Sequence, residues 1–189
     1  KQKTDIEAKP LIPGASAFAL REDVRSPVDG TPVGVVLNAA TQNVSEAVDA
    51  ARKGFKTWSR MSVEERAKRL EKAADLLDAK RDHFLALLAR EAGKTMDDGV
   101  SEIREAVDFC RFYAREAVKS FGEPIALPGP TGEDNRLVHR GRGVFVCLSP
   151  WNFPLAIFAG QVVAALAAGN AVLAKPAAQT PLVAHEMVK

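Results

Sequence analysis

The stretch VFVCLSPWNFPLAIFAGQVVAALAAGNAVLAKPAAQTP, Val144 to Pro181, decides the fold. No charged residue falls between Val144 and Ala174. A membrane-spanning helix needs about 20 unbroken apolar residues. Here Pro150, Asn152, Pro154, Gly160, Gln161, Gly169 and Asn170 cut the run, so no piece is long enough to span. The pattern reads instead as strand, loop, helix, strand, helix. Val144–Leu148 is the first strand. Pro154 suits a first helical turn. Leu155 to Ala168 is apolar on every side and predicts a buried helix, which Gly169 can end. Ala171–Ala174 is the next strand, closed by Lys175-Pro176. Thr180-Pro181 reads as an N-cap and N1 pair opening a last helix. Two apolar strands joined by one helix make a crossover, hence a parallel sheet.

Open sheets of this kind bind ligands at the carboxyl ends of their strands. Asn152 follows the first strand and Lys175 ends the second, so both belong to the same edge. Lys175 can bond hydroxyls or attract phosphate, or it can simply stop a strand. Asn152 offers two N–H donors. As an N-cap it would be unremarked, but with Pro154 at N1 the cap is Phe153 and Asn152 lies one residue outside. A donor in a water-poor loop is what an oxyanion hole requires. Trp151 and Phe153 read as either ligand walls or plain core.

Upstream, turn formers crowd residues 1–40, with Val33–Leu37 the one plausible strand. Helical spacing follows. Val44, Ala47, Val48, Ala51, Phe55 and Trp58 mark one helix. The Ser62–Glu65 capping box opens a second, with Val63, Ala67, Leu70, Ala74 and Leu77 on one face. A third lies near 80–92 and ends at Gly93. A fourth, about 97–119, carries Val100, Ile103, Val107, Cys110, Ala114 and Ala117 on one stripe and Glu102, Glu105, Phe109 and Phe112 on another. That helix is expected to be covered on both sides. Then come three β segments, Ile125–Leu127, Arg136–Arg140 and Gly143–Leu148, the last two expected to form a tight hairpin around Gly141 and Gly143. Charge drops sharply after Arg142. The chain therefore divides into an extended segment at 1–40, a helical part at 41–119, a β segment at 120–142 and the start of an α/β core at 143–189.

Composition narrows the function. The 189 residues are 47% hydrophobic and 26% charged, with a net charge of +2. That balance is ordinary for a soluble domain and too weak to argue for nucleic acid or an anionic membrane. The N-terminal KQKTDIEAKP has no apolar core of a signal peptide, so a cytoplasmic protein with two free thiols is expected. Cys110 and Cys147 both sit in apolar patterns and read as core. The three histidines are scattered, which gives no metal site. Gly93-Lys94-Thr95 mimics the end of a phosphate-binding loop, but Leu88 stands where the earlier glycine should be and a helix precedes it. Gly141-Arg142-Gly143 begins like a dinucleotide fingerprint, but Val146 replaces the third glycine. The chain has no initiator Met and stops inside a helical pattern, and it is expected to be a fragment of a longer protein.

The motifs together go further. SPWNFPL (149–155), AAGNAVLAKPA (167–177) and QTP (179–181) resemble the N-terminal half of an aldehyde dehydrogenase. Phe55, Trp58, Ala89–Thr95 and Phe112-Tyr113-Ala114 extend the resemblance over roughly residues 25–189. Ala106–Ala114 and PWNFPLAIF resemble the 1-pyrroline-5-carboxylate (glutamate semialdehyde) dehydrogenase domain of bacterial proline utilization A. The resemblance implies an α/β fold: an incomplete Rossmann-like parallel sheet, an N-terminal helical region and a β-hairpin of the oligomerisation region. It also implies thiolate attack on an aldehyde, hydride transfer to NAD and hydrolysis of the thioester by an activated water. On this resemblance Asn152 donates to the oxyanion. Leu148, Ser149, Pro150 and Trp151 line the cofactor groove, and Lys175, Ala177 and Ala178 flank the adenosine ribose. Phe153 walls the aldehyde site and Glu105 faces the same tunnel. A homo-oligomer is implied, with an aldehyde as the small-molecule partner.

Two departures stand out. The family's usual ribose-binding Glu is Ala178 here, which predicts weaker NAD binding and less discrimination against NADP. The family's catalytic Cys and Glu lie beyond residue 189, so the chain alone is expected to be inactive. The alternatives are a non-catalytic cofactor-binding or assembly module using the Arg136–Leu148 hairpin, an aldehyde dehydrogenase for another semialdehyde, and an unrelated α/β ligand-binding domain.

Overall fold

A computed structural model describes residues 6–15 and 18–189, so the first five residues of the N-terminal segment, with 16 and 17, lie outside it. The described part of residues 1–40 is more than an extended segment. β1 (Ile6–Ala8) pairs parallel to β3 (Pro32–Ala39), and β2 (Phe18–Arg25) pairs antiparallel to the other side of β3. β2 reads poorly as a strand because Arg21, Glu22 and Asp23 interrupt any apolar alternation. It is an edge strand, where charge is tolerated and blocks further pairing. The β2–β3 turn is closed by Asp29, whose Oδ1 accepts from the Thr31 N–H at 3.1 Å and its hydroxyl at 2.8 Å.

Four helices follow: α1 (Thr41–Trp58), α2 (Val63–Ala79), α3 (Arg81–Glu91) and α4 (Met96–Phe121). Ser62 caps α2 and Thr95 caps α4, each hydroxyl accepting the N–H three residues on at 3.2 Å. Gly93, at φ +67°, ends α3. On α4, Ile103, Val107, Cys110, Ala114 and Ala117 are buried. Its second face is covered only in part. Glu102 is buried and the Phe109 ring lies against Gly160, but Glu105 and Phe112 are exposed, as is Val100 at the end of the first stripe. The expectation of cover on both sides therefore holds for the middle of the helix, not for its whole length.

The β segments pair differently from the expected hairpin. β5 (Asn135–Leu137) pairs antiparallel with β4 (Ile125–Leu127), while β6 (Val144–Leu148) pairs parallel with β7 (Ala171–Lys175). The link between β5 and β6 cannot fold back, because it is pinned to the end of the following helix. The Arg142 and Gly143 N–H groups both donate to Asn170 Oδ1, at 2.5 and 3.1 Å, and Gly143 accepts from the Ala171 N–H at 3.0 Å. A side chain at Gly141 would collide with the Gly169 carbonyl. These contacts feed β6 into the parallel pair.

α5 (Ala156–Ala167) is the crossover, and α6 (Pro181–Val188) follows β7. α5 packs against α2 and α4 as well as β6 and β7, which is why it is apolar all round. Gly169 ends it at φ +85°, with the Asn170 N–H on Ala165 O and its own N–H on Leu166 O. Long side chains also reach these last carbonyls: Trp58 Nε1 donates to Leu166 O, which the Gly169 N–H shares, at 2.8 Å, and Arg66 Nε to Ala167 O at 3.1 Å. One buried cluster runs from Ala8 through α2, α3 and α4 to Val183, so the drop in charge at Arg142 is no break in packing. Among the described residues no helix is long and apolar enough to cross a membrane.

Candidate functional site

The carboxyl edge of the β6–β7 pair is built from two loops. In the first, Leu148 stands opposite Lys175, and the ladder continues one step as the Ser149 N–H donates to Lys175 O at 3.1 Å. The buried Ser149 hydroxyl donates to Gln161 Oε1 at 3.2 Å, tying the loop to α5. The chain then bends through Pro150, Trp151, Asn152 and Phe153, and the last three are exposed. Among the described residues the Asn152 carboxamide makes no hydrogen bond to another group. It is not a helix cap. The regular helix begins at Ala156, two residues after the expected N1 at Pro154, although the Ile157 N–H on Phe153 O at 3.3 Å makes Pro154 part of a leading turn.

The start of α5 is held from outside. Glu102, 1% exposed, accepts the Leu155 and Ala156 N–H groups on Oε1 at 2.8 and 3.2 Å. Those are orphan donors of a helix N-terminus, where a carboxylate is favoured. Oε2 lies 3.0 Å from Lys94 Nζ, an ionic contact rather than an aligned hydrogen bond. The same ammonium sits 4.1 Å above the centre of the Phe153 ring. Glu105, one turn further along α4, is exposed and makes no hydrogen bond among the described residues.

The second loop runs from Lys175 to Thr180. Lys175 Nζ is exposed and donates to the neighbouring Pro176 carbonyl at 2.9 Å. Ala177 is half-buried and Ala178 exposed. Thr180 occupies the N-cap position, but its hydroxyl makes no cap bond and is buried without a partner among the described residues. The expected cap is replaced by Glu91, whose two oxygens accept the Leu182 and Val183 N–H groups at 2.7 and 2.8 Å. Burial pushes the Glu91 carboxyl up to about 7, against the pull of those two N–H bonds. Trp151 from the first loop and Ala178, Gln179 and Thr180 from the second line one cavity of about 470 Å³, closed by β2 and Glu91.

Neither thiol suits nucleophilic work. Cys110 is fully buried on α4 and burial pushes it up to about 11, while Cys147 is buried in mid-strand and also shifted up by burial. Among the described residues no group of His, Cys, Asp and Glu could hold a metal ion.

The sequence model of the aldehyde dehydrogenase family matches residues 16–189. The chain belongs to that family. The chain is 42% identical over 183 residues to the bifunctional protein PutA of Klebsiella aerogenes, covering 96% of this chain and 13% of that protein. Among solved structures, a Bradyrhizobium japonicum proline utilization A mutant is 61% identical with a TM-score of 0.77, over 79% of this chain and 15% of the other. The 1-pyrroline-5-carboxylate dehydrogenase from Thermus with bound NAD is 34% identical with a TM-score of 0.89, over 96% of this chain and 36% of the other. The chain thus spans between about an eighth and a third of the relatives' lengths.

Sequence reasoning missed Lys94, Glu91 and Arg66, and gave Glu102 no role. A signal was present. Glu102 neighbours Ile103 and lies within a turn of Gly99 and Ala106, all four of them buried. A carboxylate among residues that must be covered needs a partner.

Proposed function

We propose that the chain is the cofactor-side part of an NAD-dependent aldehyde dehydrogenase that oxidises glutamate semialdehyde to glutamate, with Asn152 as side-chain donor to the oxyanion. One observation carries the reading: an exposed carboxamide without a partner among the described residues, at the carboxyl end of a parallel strand, in a turn fixed by the buried Glu102. The attacking thiolate is supplied from outside these 189 residues, since Cys110 and Cys147 are both buried. The substrate class is supported by relatives named 1-pyrroline-5-carboxylate dehydrogenase and PutA.

The donor set fits a nicotinamide dinucleotide. Lys175 offers an exposed ammonium to a hydroxyl, and Leu148 and Trp151 offer exposed apolar surface along the same edge. Ser149 and Pro150 fix the backbone between them. When bound, the cofactor would accept the hydride. Ala178 provides no acceptor for ribose hydroxyls and no charge to repel a 2′-phosphate. NAD and NADP are therefore expected to bind with similar strength. Ala178→Glu should tighten NAD and weaken NADP, measured as two dissociation constants, and unchanged constants would refute the assignment.

The direct test is Asn152→Ala in the intact protein. Loss of an oxyanion donor should lower kcat about 10²–10³-fold. Cofactor affinity should stay constant, and normal turnover would sink the reading. An assembly role is favoured by a separate feature. Ile125, Leu127, Leu137 and Val138 are all exposed on and beside the β4–β5 hairpin, an apolar surface suited to a second copy. Charging it with Leu127→Lys should lower the mass seen by light scattering.

A further inference from the structure

We propose that Lys94 and Glu102 are a positioning pair for the Asn152 carboxamide, an inference that rests on the oxyanion-donor reading above. An oxyanion donor works only if it is aimed before the reaction begins, because reorganising it during the reaction costs what it gains. Asn152 has an exposed side chain that bonds to no group among the described residues, so its aim depends on its backbone. That backbone is held at three points. Ser149 is fixed on one side by its N–H on Lys175 O and its hydroxyl on Gln161. On the other side the Phe153 ring lies under the Lys94 ammonium at 4.1 Å, and the Leu155 and Ala156 N–H groups are gripped by Glu102. Pro150 and Pro154 remove further φ freedom on each flank.

The last two restraints are one device. Glu102 holds α5 with Oε1 and Lys94 with Oε2, and Lys94 in turn holds the ring beside Asn152. Neither group has much access to water, at 0% and 14% side-chain exposure for Glu102 and Lys94. Removing either partner leaves the other without a substitute and frees the ring. Lys94 reaches the turn from the α3–α4 connection and Glu102 from α4, so the restraint comes from rigid elements outside the loop.

A cycle of variants in the intact protein separates this role from simple support of the fold. Aldehyde turnover is measured for Asn152→Ala, Glu102→Gln, Lys94→Met, Lys94→Arg and Glu102→Gln/Asn152→Ala. Glu102→Gln and Lys94→Met should each lower kcat roughly ten- to a hundredfold, with both KM values within about twofold. Lys94→Arg should restore most of the rate, because it keeps the charge and stacks on the ring. The double variant should be no slower than Asn152→Ala alone, since Glu102 acts through Asn152. A double variant slowed by the product of the single effects overturns the positioning pair and leaves the donor role standing. Normal turnover in Asn152→Ala overturns both. If Glu102→Gln does not fold, Lys94→Met/Asn152→Ala completes the same cycle with the same two readings.

Discussion

The two loops of the site are tethered by the same device in two electrostatic settings. Each loop runs into a helix whose first free N–H groups are taken by a buried glutamate from another helix: Glu102 for α5, Glu91 for α6. Glu102 is paired with Lys94 at 3.0 Å, whereas Glu91 makes no ion pair among the described residues. The difference teaches what each loop can tolerate. The Asn152 loop is held by a neutral pair plus the helix dipole. The Ala178 loop is held by a lone buried carboxylate whose charge is itself costly.

The largest effect expected is on the paired tether. Glu102→Ala leaves two N–H groups and a poorly hydrated ammonium without partners, a loss of about 3–5 kcal/mol. Glu91→Ala strands two N–H groups and no charge, so it should cost less, about 1–3 kcal/mol. Denaturant unfolding of both variants checks the order, and equal losses would show that Lys94 adds nothing to the first tether.

The second effect depends on pH. The folded carboxyl of Glu91, raised to about 7 from an ordinary 4.5, binds a proton that the unfolded chain has already released. Stability should therefore fall as pH rises through that window, by on the order of 2–3 kcal/mol. His185, on the α6 helix that Glu91 tethers, works in the opposite direction. Burial holds its pKa below the ordinary 6.5, so its contribution is present above that value and is lost as pH falls. The Glu91 share is isolated by comparing the parent with Glu91→Gln at pH 5 and pH 8. The variant should lose the fall, and a parallel dependence would refute the assignment.

The same contrast marks how far the sequence could be read. The strand–helix–strand unit was legible because Val144–Leu148, α5 and β7 are apolar in runs bounded by proline and glycine. Asn152 was legible as a lone carboxamide in such a run. The tethers were not. Glu91 and Glu102 lie 91 and 53 residues from the N–H groups they hold, and nothing local announces a bond that only the packed helices create. β2 was hidden for a different reason, since edge strands carry charge by design. The pairing of β5 was misjudged because Gly141 and Gly143 look like hairpin glycines. Gly141 is instead required by close approach to Gly169, and Gly143 by its φ of +149°.

The smallest effect concerns Thr180, and it sharpens the comparison most directly. A threonine at an N-cap normally stabilises its helix, and removing it costs about 1 kcal/mol. Here the hydroxyl is buried with no partner among the described residues, while Glu91 occupies the N–H groups it would have taken. Thr180→Val keeps the shape and removes a desolvated group. It should be neutral or stabilising by up to about 1 kcal/mol. In a Glu91→Ala background the hydroxyl can swing to the freed N–H groups, so the same substitution should become destabilising. Thermal melts of the four combinations read this reversal of sign. A constant effect of Thr180→Val in both backgrounds would mean that the start of α6 does not depend on which of the two residues caps it.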